Sequence, residues 1–392
     1  MAEAHEKILT DRRTMPPVAI AELVKKAAAR EGIGPGRIFR EMVQLGLGKN
    51  RIGQREYFSN HLYRPALSME QKREFIGEKA NHRLNLRLSP PDLTRMRGFL
   101  NDKIAHSTLW RSWGISTTGT QAVYTSDRWL GPTPVLRNAD AILGFLKNDA
   151  VFPLFGKPVE GLQALGSVYV DAIDAAAGSA QLLNGETIEL SRLAEEIVRD
   201  FPEGYMFQHA VQQHPDVSEI FGPALSCIRM VTVIEDRAPT VLYAYWKIAA
   251  FHGMSDNFWQ NGTMLALIDT EDGVVRNCVT GKGPEEEQVE THPVSGRQIA
   301  GYRIPFWEEA AQMAETAHSI FPVNGCLGWD VAIGPAGPVL IECNDNTGHN
   351  TYQIVLGRGA LNPDLMARFE RVIARNKRIA DGRRARAYKF DV

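Results

Sequence analysis

Two carboxylates and an amide near residue 330 have the chemistry of a hard-cation site. The apolar runs Leu327 to Ile333 and Val339 to Cys343 flank a turn cluster, Gly334-Pro335-Ala336-Gly337-Pro338, which predicts a β-hairpin with a five-residue loop. A hairpin symmetric about Ala336 sets Ile333 against Val339 and Asp330 against Glu342, with Asn344 two residues further along the face of Glu342. Directly opposed like charges destabilise a sheet, because cross-strand Cβ atoms stand only about 4.5 to 5.5 Å apart. Asp330, Glu342 and Asn344 therefore read in one of two ways. Either they are oxygen ligands for Mg²⁺ or Mn²⁺, an ion that shares its shell with substrate phosphates, or they face solvent at the start of a turn.

Cations also stand in segments that give them no local partner. Arg229 lies in the apolar run ALSCIRMVTVI and Lys247 in YAYWKIAAF. Each must either meet a carboxylate or present its donors to a phosphate or substrate carboxylate. Lys157 follows a strand-like run in AVFPLFGKPVEGLQALG; it reads as a phosphate ligand backed by loop amides or as a surface residue in a turn. Lys103, after Asn101-Asp102, opens a helix that stops at Gly114 and is by itself a solvated helix charge. The polar and aromatic loop Ser255-Asp256-Asn257-Phe258-Trp259-Gln260-Asn261-Gly262 carries amides suited to stabilising developing negative charge, although Asp256 also reads as a turn former.

Asp330 followed by Glu342-Cys343-Asn344 at the end of an apolar strand resembles the D…E-x-N metal signature of the ATP-grasp superfamily. The wider runs HPVSGRQIAGYRIPFWEEA and GWDVAIGPAGPVLIECN are similar to its sugar-transfer associated branch. The resemblance covers roughly Asn101 to Gly357. It implies an α+β ATP-grasp fold, in which two α+β lobes sandwich ATP, behind a helical N-terminal region. It also implies ATP with Mg²⁺ or Mn²⁺ on Asp330, Glu342 and Asn344, and Lys103 and Lys157 on the phosphates. Tyr205 to Val211 becomes a hinge strand whose edge forms the adenine slot, with Gln208 where a glutamate near the purine amine is usual. The run Gln213-His214-Pro215-Asp216 is similar to the QHP run of the branch and places Gln213 or Asp216 at the ribose hydroxyls. Arg229, in a variant of the pattern N-T-x-R-x-x-T with Ser226-Cys227 in its first two positions, falls at the phosphate or substrate carboxylate, Asn257 lies in a loop similar to the DN…GG loop of the branch, and Lys247 is the further catalytic candidate, its two readings still open. The loop after Lys157 departs from the family, since Gly161 and Gly166 are separated by Leu162 and Leu165 where related loops carry adjacent glycines.

By resemblance the expected activity is an ATP-dependent carboxylate-amine ligase, which activates a small-molecule carboxylate as an acyl phosphate and releases ADP and phosphate when an amine attacks. A phosphotransferase acting on a small molecule or glycan, and a nucleotide-binding module without turnover, are the alternatives. His349, Asn350, Tyr352, Gln353 and Arg358, just past the metal strand, are expected to face the acceptor.

The elements that must hold these residues follow from pattern. Val18 to Glu31, Ile38 to Leu47 and Leu67 to Ala80 carry helix-spaced apolar residues, the last with a capping box of Ser68 and Gln71. Val168 to Ile173 and Gly178 to Ile188 read as strands, with Asn184-Gly185 a hairpin turn, and Ser191 to Asp200 as a helix. Ala224 to Glu235 pairs with Thr240 to Ala250, Gly281 to Glu290 is a flexible acidic insertion facing solvent, and Phe306 to Ala317 and Asn362 to Ile379 are helices. The expected division is a helical region over 1–98, a first ATP-grasp lobe with its lid over 99–206, a metal-bearing lobe over 207–360, and a basic helix and tail over 361–392. The basic stripe from Arg368 to Lys389 is taken as a solvated helix face.

With 44% hydrophobic and 23% charged residues and a net charge of −2, the chain has an ordinary globular composition and no global pull toward nucleic acid or membrane. Four scattered cysteines predict buried thiols, not disulfides, and no run approaches the roughly 20 apolar residues that span a bilayer. A cytoplasmic protein without membrane insertion is the expectation.

Overall fold

Apolar strands that alternate or bury both faces build two sheets. The computed structural model describes residues 7–9, 18–94, 97–161, 164–256 and 260–387. A helical region comes first: α1 (Ile20–Glu31), α2 (Pro35–Leu47), α3 (Gln54–Ser59), α4 (Met69–Lys72) and α5 (Glu78–Leu88). Helices α6 (Arg97–Asn101) and α7 (Lys103–Ser112) lead into the first sheet. Its elements are β1 (Thr120–Tyr124), β2 (Val135–Leu136), α8 (Ala139–Asn148), β3 (Leu154–Pro158), β4 (Val168–Asp174), β5 (Ser179–Leu182), β6 (Thr187–Glu189), α9 (Leu190–Asp200) and β7 (Tyr205–His209). The second unit comprises α10 (Pro215–Phe221), β8 (Cys227–Ile234), β9 (Pro239–Ile248), β10 (Met264–Ile268), β11 (Val275–Thr280), β12 (Glu287–Gln288), α11 (Trp307–Ser319), β13 (Cys326–Gly334) and β14 (Gly337–Asn344), followed by α12 (His349–Leu356) and α13 (Pro363–Ala387).

The first sheet runs β2-β1-β7-β3-β4-β5-β6 and the second β12-β11-β10-β9-β8-β13-β14. Among the described strands only β1 and β2 pair in parallel; the other strand neighbours are antiparallel, so the chain is α+β as expected. One face of the first sheet buries Leu154, Phe207 and Tyr205 against Phe145 of α8 and against Leu193 and Ile197 of α9. Each such large side chain contributes about 1.5 to 3 kcal/mol. The second sheet buries Ile228, Met230, Trp246 and Trp329 against Ala310, Ala314 and Ala317 of α11. Its other face carries the polar side chains described below.

Residues 116–119 tie the sheets together. Leu340 N donates to Ser116 O at 2.9 Å and Thr117 Oγ1 to Leu340 O at 2.8 Å, while His209 N donates to Gly119 O at 2.9 Å. The same short segment thus lies along β14 of one sheet and β7 of the other.

Several expectations change. The capping box holds, with Gln71 N donating to Ser68 Oγ at 3.2 Å, but the helix it opens ends at Lys72 and a second one starts at Glu78. At the intervening break Gly77 packs so tightly that a Cβ there would lie 2.3 Å from Arg51 O. The turn of the β13–β14 hairpin is shorter than five residues, because Gly334 already pairs with Gly337 and Ile333 faces Pro338, not Val339. A bulge between Asp330 and Val331 leaves Ile341 unopposed and restores the expected pairing of Asp330 with Glu342. Strand β7 is no edge: β1 and β3 flank it on both sides.

The acidic insertion does not simply face solvent. Glu285 pairs with Lys26 at 2.5 Å, and buried Glu286 meets His61 Nε2 at 2.7 Å, while Arg30 donates to Pro284 O. These contacts dock the helical region on the second sheet. The basic helix α13 is likewise only partly solvated, since Arg368 and Arg371 pair with Glu235 and Arg375 donates to Asp236 O at 2.7 Å and Pro322 O at 2.9 Å. All four cysteines are buried and free, and among the described residues no helix is long and apolar enough to cross a membrane.

Candidate nucleotide and metal site

Strand register places the candidate cations and carboxylates on one face. Cys227 opposes Lys247, Arg229 opposes Asp330 and Tyr245, and Asp330 opposes Glu342, so these residues project from the same side of the second sheet. Asn344 opposes Gly328 on that side. A side chain at Gly328 would crowd the arginine, its Cβ falling 3.3 Å from Arg229 Cδ.

The opposed carboxylates are neutralised by protein cations. Arg229 grips Asp330 with both ends of its fork, Nε to Oδ1 at 2.5 Å and Nη2 to Oδ2 at 3.1 Å. Lys247 Nζ donates to Asp330 Oδ2 at 3.0 Å and also pairs with Asp256 at 2.9 Å. Burial disfavours the charge on Asp330, but Arg229 and Lys247 overcome it and hold the carboxyl well below the usual range. Burial likewise opposes the charges of Arg229 and Lys247, yet the carboxylates beside them raise both pKa values.

Glu342 is bound less completely. Its one ion-pair neighbour among the described residues is Lys103, at 3.8 Å. Lys103 Nζ also donates to Gly161 O at 3.0 Å and Val159 O at 3.3 Å, which fixes this helix-borne lysine to the turn that follows Lys157. Asp102 caps the same helix by accepting from Ile104 N and Ala105 N at 3.1 and 3.0 Å. Lys157 projects from β3 on the face it shares with Phe155, Met206 and Gln208. Burial lowers its pKa, with the nearby Lys103 acting in the same direction and Glu342 against it. An ammonium held this way gains charge stabilisation from any anion that arrives.

Four cations, Lys103, Lys157, Arg229 and Lys247, thus meet three carboxylates, Asp256, Asp330 and Glu342, where the two sheets converge. The donor set also fits a hard cation. A carboxylate offers about four lone-pair sites, and Arg229 and Lys247 occupy three on Asp330. Glu342 keeps its lone pairs, and the Asn344 amide has a buried Nδ2 without a hydrogen-bond partner. Among the described residues no group of three His, Cys, Asp or Glu side chains is arranged to hold a metal, so a cation here must complete its shell with the amide, waters or phosphate oxygens.

Other expected residues lie elsewhere. Gln208 is buried and donates from Nε2 to Thr118 Oγ1 at 2.6 Å, beside Lys157. Gln213 is committed to the backbone, donating to Gly222 O at 3.0 Å and accepting from Ser226 N at 2.8 Å. Asp216 stands exposed in the first turn of α10. Asn257 lies outside the described residues.

The expected acceptor side chains are mostly consumed by packing. His349 binds Tyr243 Oη at 2.6 Å and Thr347 Oγ1 at 2.9 Å, and Tyr352 stacks on Tyr243 with ring centroids 3.7 Å apart. Gln353 clasps Ile76, accepting from its N at 3.0 Å and donating to its O at 2.9 Å, and Arg358 pairs with Glu74 and Asp364. These residues anchor the N-terminal helices. Asn350 makes none of these contacts.

Two site members were not assigned from the sequence. Asp256 belongs to the charge cluster; its signal was Lys247, a cation that needed a carboxylate. His106 stacks on Trp110 at 4.3 Å and donates from Nδ1 to Leu100 O at 2.9 Å. Burial, with Lys157 and Lys103 nearby, pushes its pKa down to about 4, and no sequence pattern marked it.

Residues 183–368 match the sugar-transfer associated ATP-grasp family. No curated protein matches the chain. Solved structures that resemble it include the D-alanine-D-alanine ligase of Coxiella burnetii, at 13% identity and a TM-score of 0.41 over 74% of this chain and 61% of that one. Another is the D-alanine-D-alanine ligase of Bacillus anthracis complexed with ATP, at 13% identity and 0.39 over 73% and 69%. A third is the L-amino acid ligase of Bacillus licheniformis, at 15% and 0.35 over 71% and 52%. The chain thus spans 61% of the length of the first of these and 52% of the last. Likeness at this level leaves chemistry to be argued from the site. The family match takes in β8, β9, β13 and β14, the strands that carry the charge cluster, so it is over residues 183–368 that the chain is similar to sugar-transfer associated ATP-grasp proteins.

Proposed function

We propose that the chain is an ATP-dependent carboxylate-amine ligase working through an acyl phosphate. One observation carries this reading: four cations converge on three carboxylates at the junction of the sheets, a surplus of positive charge suited to a polyphosphate beside oxygen ligands suited to its metal. Lys103 and Lys157 hold phosphate oxygens. Gln208, with Nε2 spent on Thr118, keeps Oε1 to accept from a purine amine, and exposed Asp216 is the remaining candidate for the ribose. Mg²⁺ or Mn²⁺ at Asp330, Glu342 and Asn344 would neutralise the transferring phosphoryl group.

A substrate carboxylate oxygen attacks the γ-phosphorus, the bond to the β,γ-bridging oxygen breaks, and ADP leaves. Amine attack on the acyl carbon then expels inorganic phosphate with the C–O electron pair, and the nitrogen loses a proton. Arg229 and Lys247, fixed by Asp330 and Asp256, are placed to hold the acyl phosphate and to stabilise the oxyanion as it forms. Asn257 is proposed to assist from its loop. No protein nucleophile is needed.

A second reading, nucleotide binding without turnover, is favoured by the same Asp330, which Arg229 and Lys247 already satisfy. Phosphate release measured across carboxylate and amine pairs separates the two. A ligase yields ADP, phosphate and an amide in equal amounts. ATP turnover without amide, or binding without turnover, rejects the ligase.

A further inference from the structure

Helix α2 carries a stripe that no other described residue covers. Ile38, Met42 and Leu45 turn into the N-terminal core, whereas Phe39, Val43 and Leu47, spaced every four residues, are 66%, 44% and 76% exposed. The other large exposed hydrophobics among the described residues, Trp113, Trp129, Val151 and Val294, each stand alone in their segment. Single exposed apolar residues are ordinary, but three aligned on one helix mark a contact surface.

The charges beside this stripe have one sign. Arg40 flanks Phe39 and Val43, and Lys49 and Arg51 follow Leu47; all three are exposed and, among the described residues, none has a carboxylate partner. The acid on α2, Glu41, is turned inward to Lys72, Tyr57 and Arg37, at 2.7, 2.7 and 2.9 Å. Residues 18–94 hold 14 lysines and arginines against 8 aspartates and glutamates, although the whole chain is at −2.

Such a surface disfavours a second copy, because a two-fold contact through α2 would gather the like charges Arg40, Lys49 and Arg51 of both copies around one interface. Large apolar side chains flanked by arginine and lysine, on a helix whose other face is anchored in protein, have the composition of an interfacial helix. We propose that α2 docks this chain on an anionic lipid surface. Phe39, Val43 and Leu47 enter the boundary between headgroups and acyl chains, and Arg40, Lys49 and Arg51 meet lipid phosphates. The chain lies on the membrane and does not cross it. This surface is independent of the nucleotide site.

Flotation of the full chain with phosphatidylcholine vesicles, with and without phosphatidylglycerol, tests the proposal. The chain is expected to float with the anionic vesicles only, and raised salt is expected to release it. Arg40→Glu is expected to weaken binding by at least about fivefold, and Phe39→Asp or Leu47→Asp to abolish it while the circular dichroism spectrum stays unchanged. Failure of the wild type to float with anionic vesicles overturns the proposal. So does equal binding by Phe39→Asp and wild type. A drop in mass on size exclusion for Phe39→Asp, without vesicle binding by the wild type, also overturns it and assigns the stripe to a second copy.

Discussion

Two buried polar regions of this molecule use the same kinds of residue to opposite ends. Where α5 and α12 meet, the side chains of Asn81, Asn85, Thr347, His349 and Gln353 are all engaged by hydrogen bonds to one another or to the backbone. Where the two sheets meet, Glu342, Asn344 and Lys157 are left with capacity to spare, and the cations outnumber the carboxylates. A saturated network fixes one arrangement and has nothing left to offer a ligand. An unsaturated one is held in place by its neighbours and waits for charge. The contrast picks out a candidate site better than the presence of polar residues does, since His349 and Gln353 were expected at the acceptor and turn out to be committed to packing.

Breaking the charge cluster should have the largest effect. Asp330→Ala leaves Arg229 buried without its carboxylate, and an expected loss of about 3 to 5 kcal/mol in urea denaturation follows. A loss below about 1 kcal/mol would mean that the arginine finds another partner and that the cluster is not fixed. In the saturated region, Gln353→Ala orphans Ile76 N and O. An expected cost of about 1 to 3 kcal/mol per orphaned group, with nucleotide affinity unchanged, would mark that region as structural. A change in affinity would erase the distinction.

Acid sharpens the same comparison. Burial pushes His349 down to about 3 from 6.5. The folded state therefore resists the proton that the unfolded chain takes up below pH 6.5, so stability is full above 6.5 and falls as pH drops toward 3. The expected loss from this residue is about 2 kcal/mol at pH 5. Denaturant midpoints of wild type and His349→Gln across that window measure it, and the variant's curve should be flatter.

How much of this was legible in the sequence depended on the range of the interaction. Local signals held: Asn184-Gly185 turns a hairpin, with Leu182 N donating to Glu186 O at 2.8 Å, and Ser68 and Gln71 cap a helix. The pairing of Asp330 with Glu342 was also legible, although it survives because a bulge at Ile341 compensates for a turn shorter than expected. What failed was long-range. Glu286 finds His61 and Gln353 finds Ile76 across more than two hundred residues, and no local pattern announces such partners. Lone charges in apolar strands were the exception. Arg229 and Lys247 had to meet something, and the carboxylates they met belong to the candidate site.

The direct test of the account is calorimetry of a non-hydrolysable ATP analogue with Mg²⁺, on wild type and on Glu342→Gln. Glu342 is only weakly paired, so the substitution should change stability by less than about 0.5 kcal/mol. Yet it should remove most of the metal-dependent affinity. Equal metal-dependent binding by both proteins, or none by the wild type, would contradict the claim that the unsaturated face of the second sheet is the nucleotide-metal site.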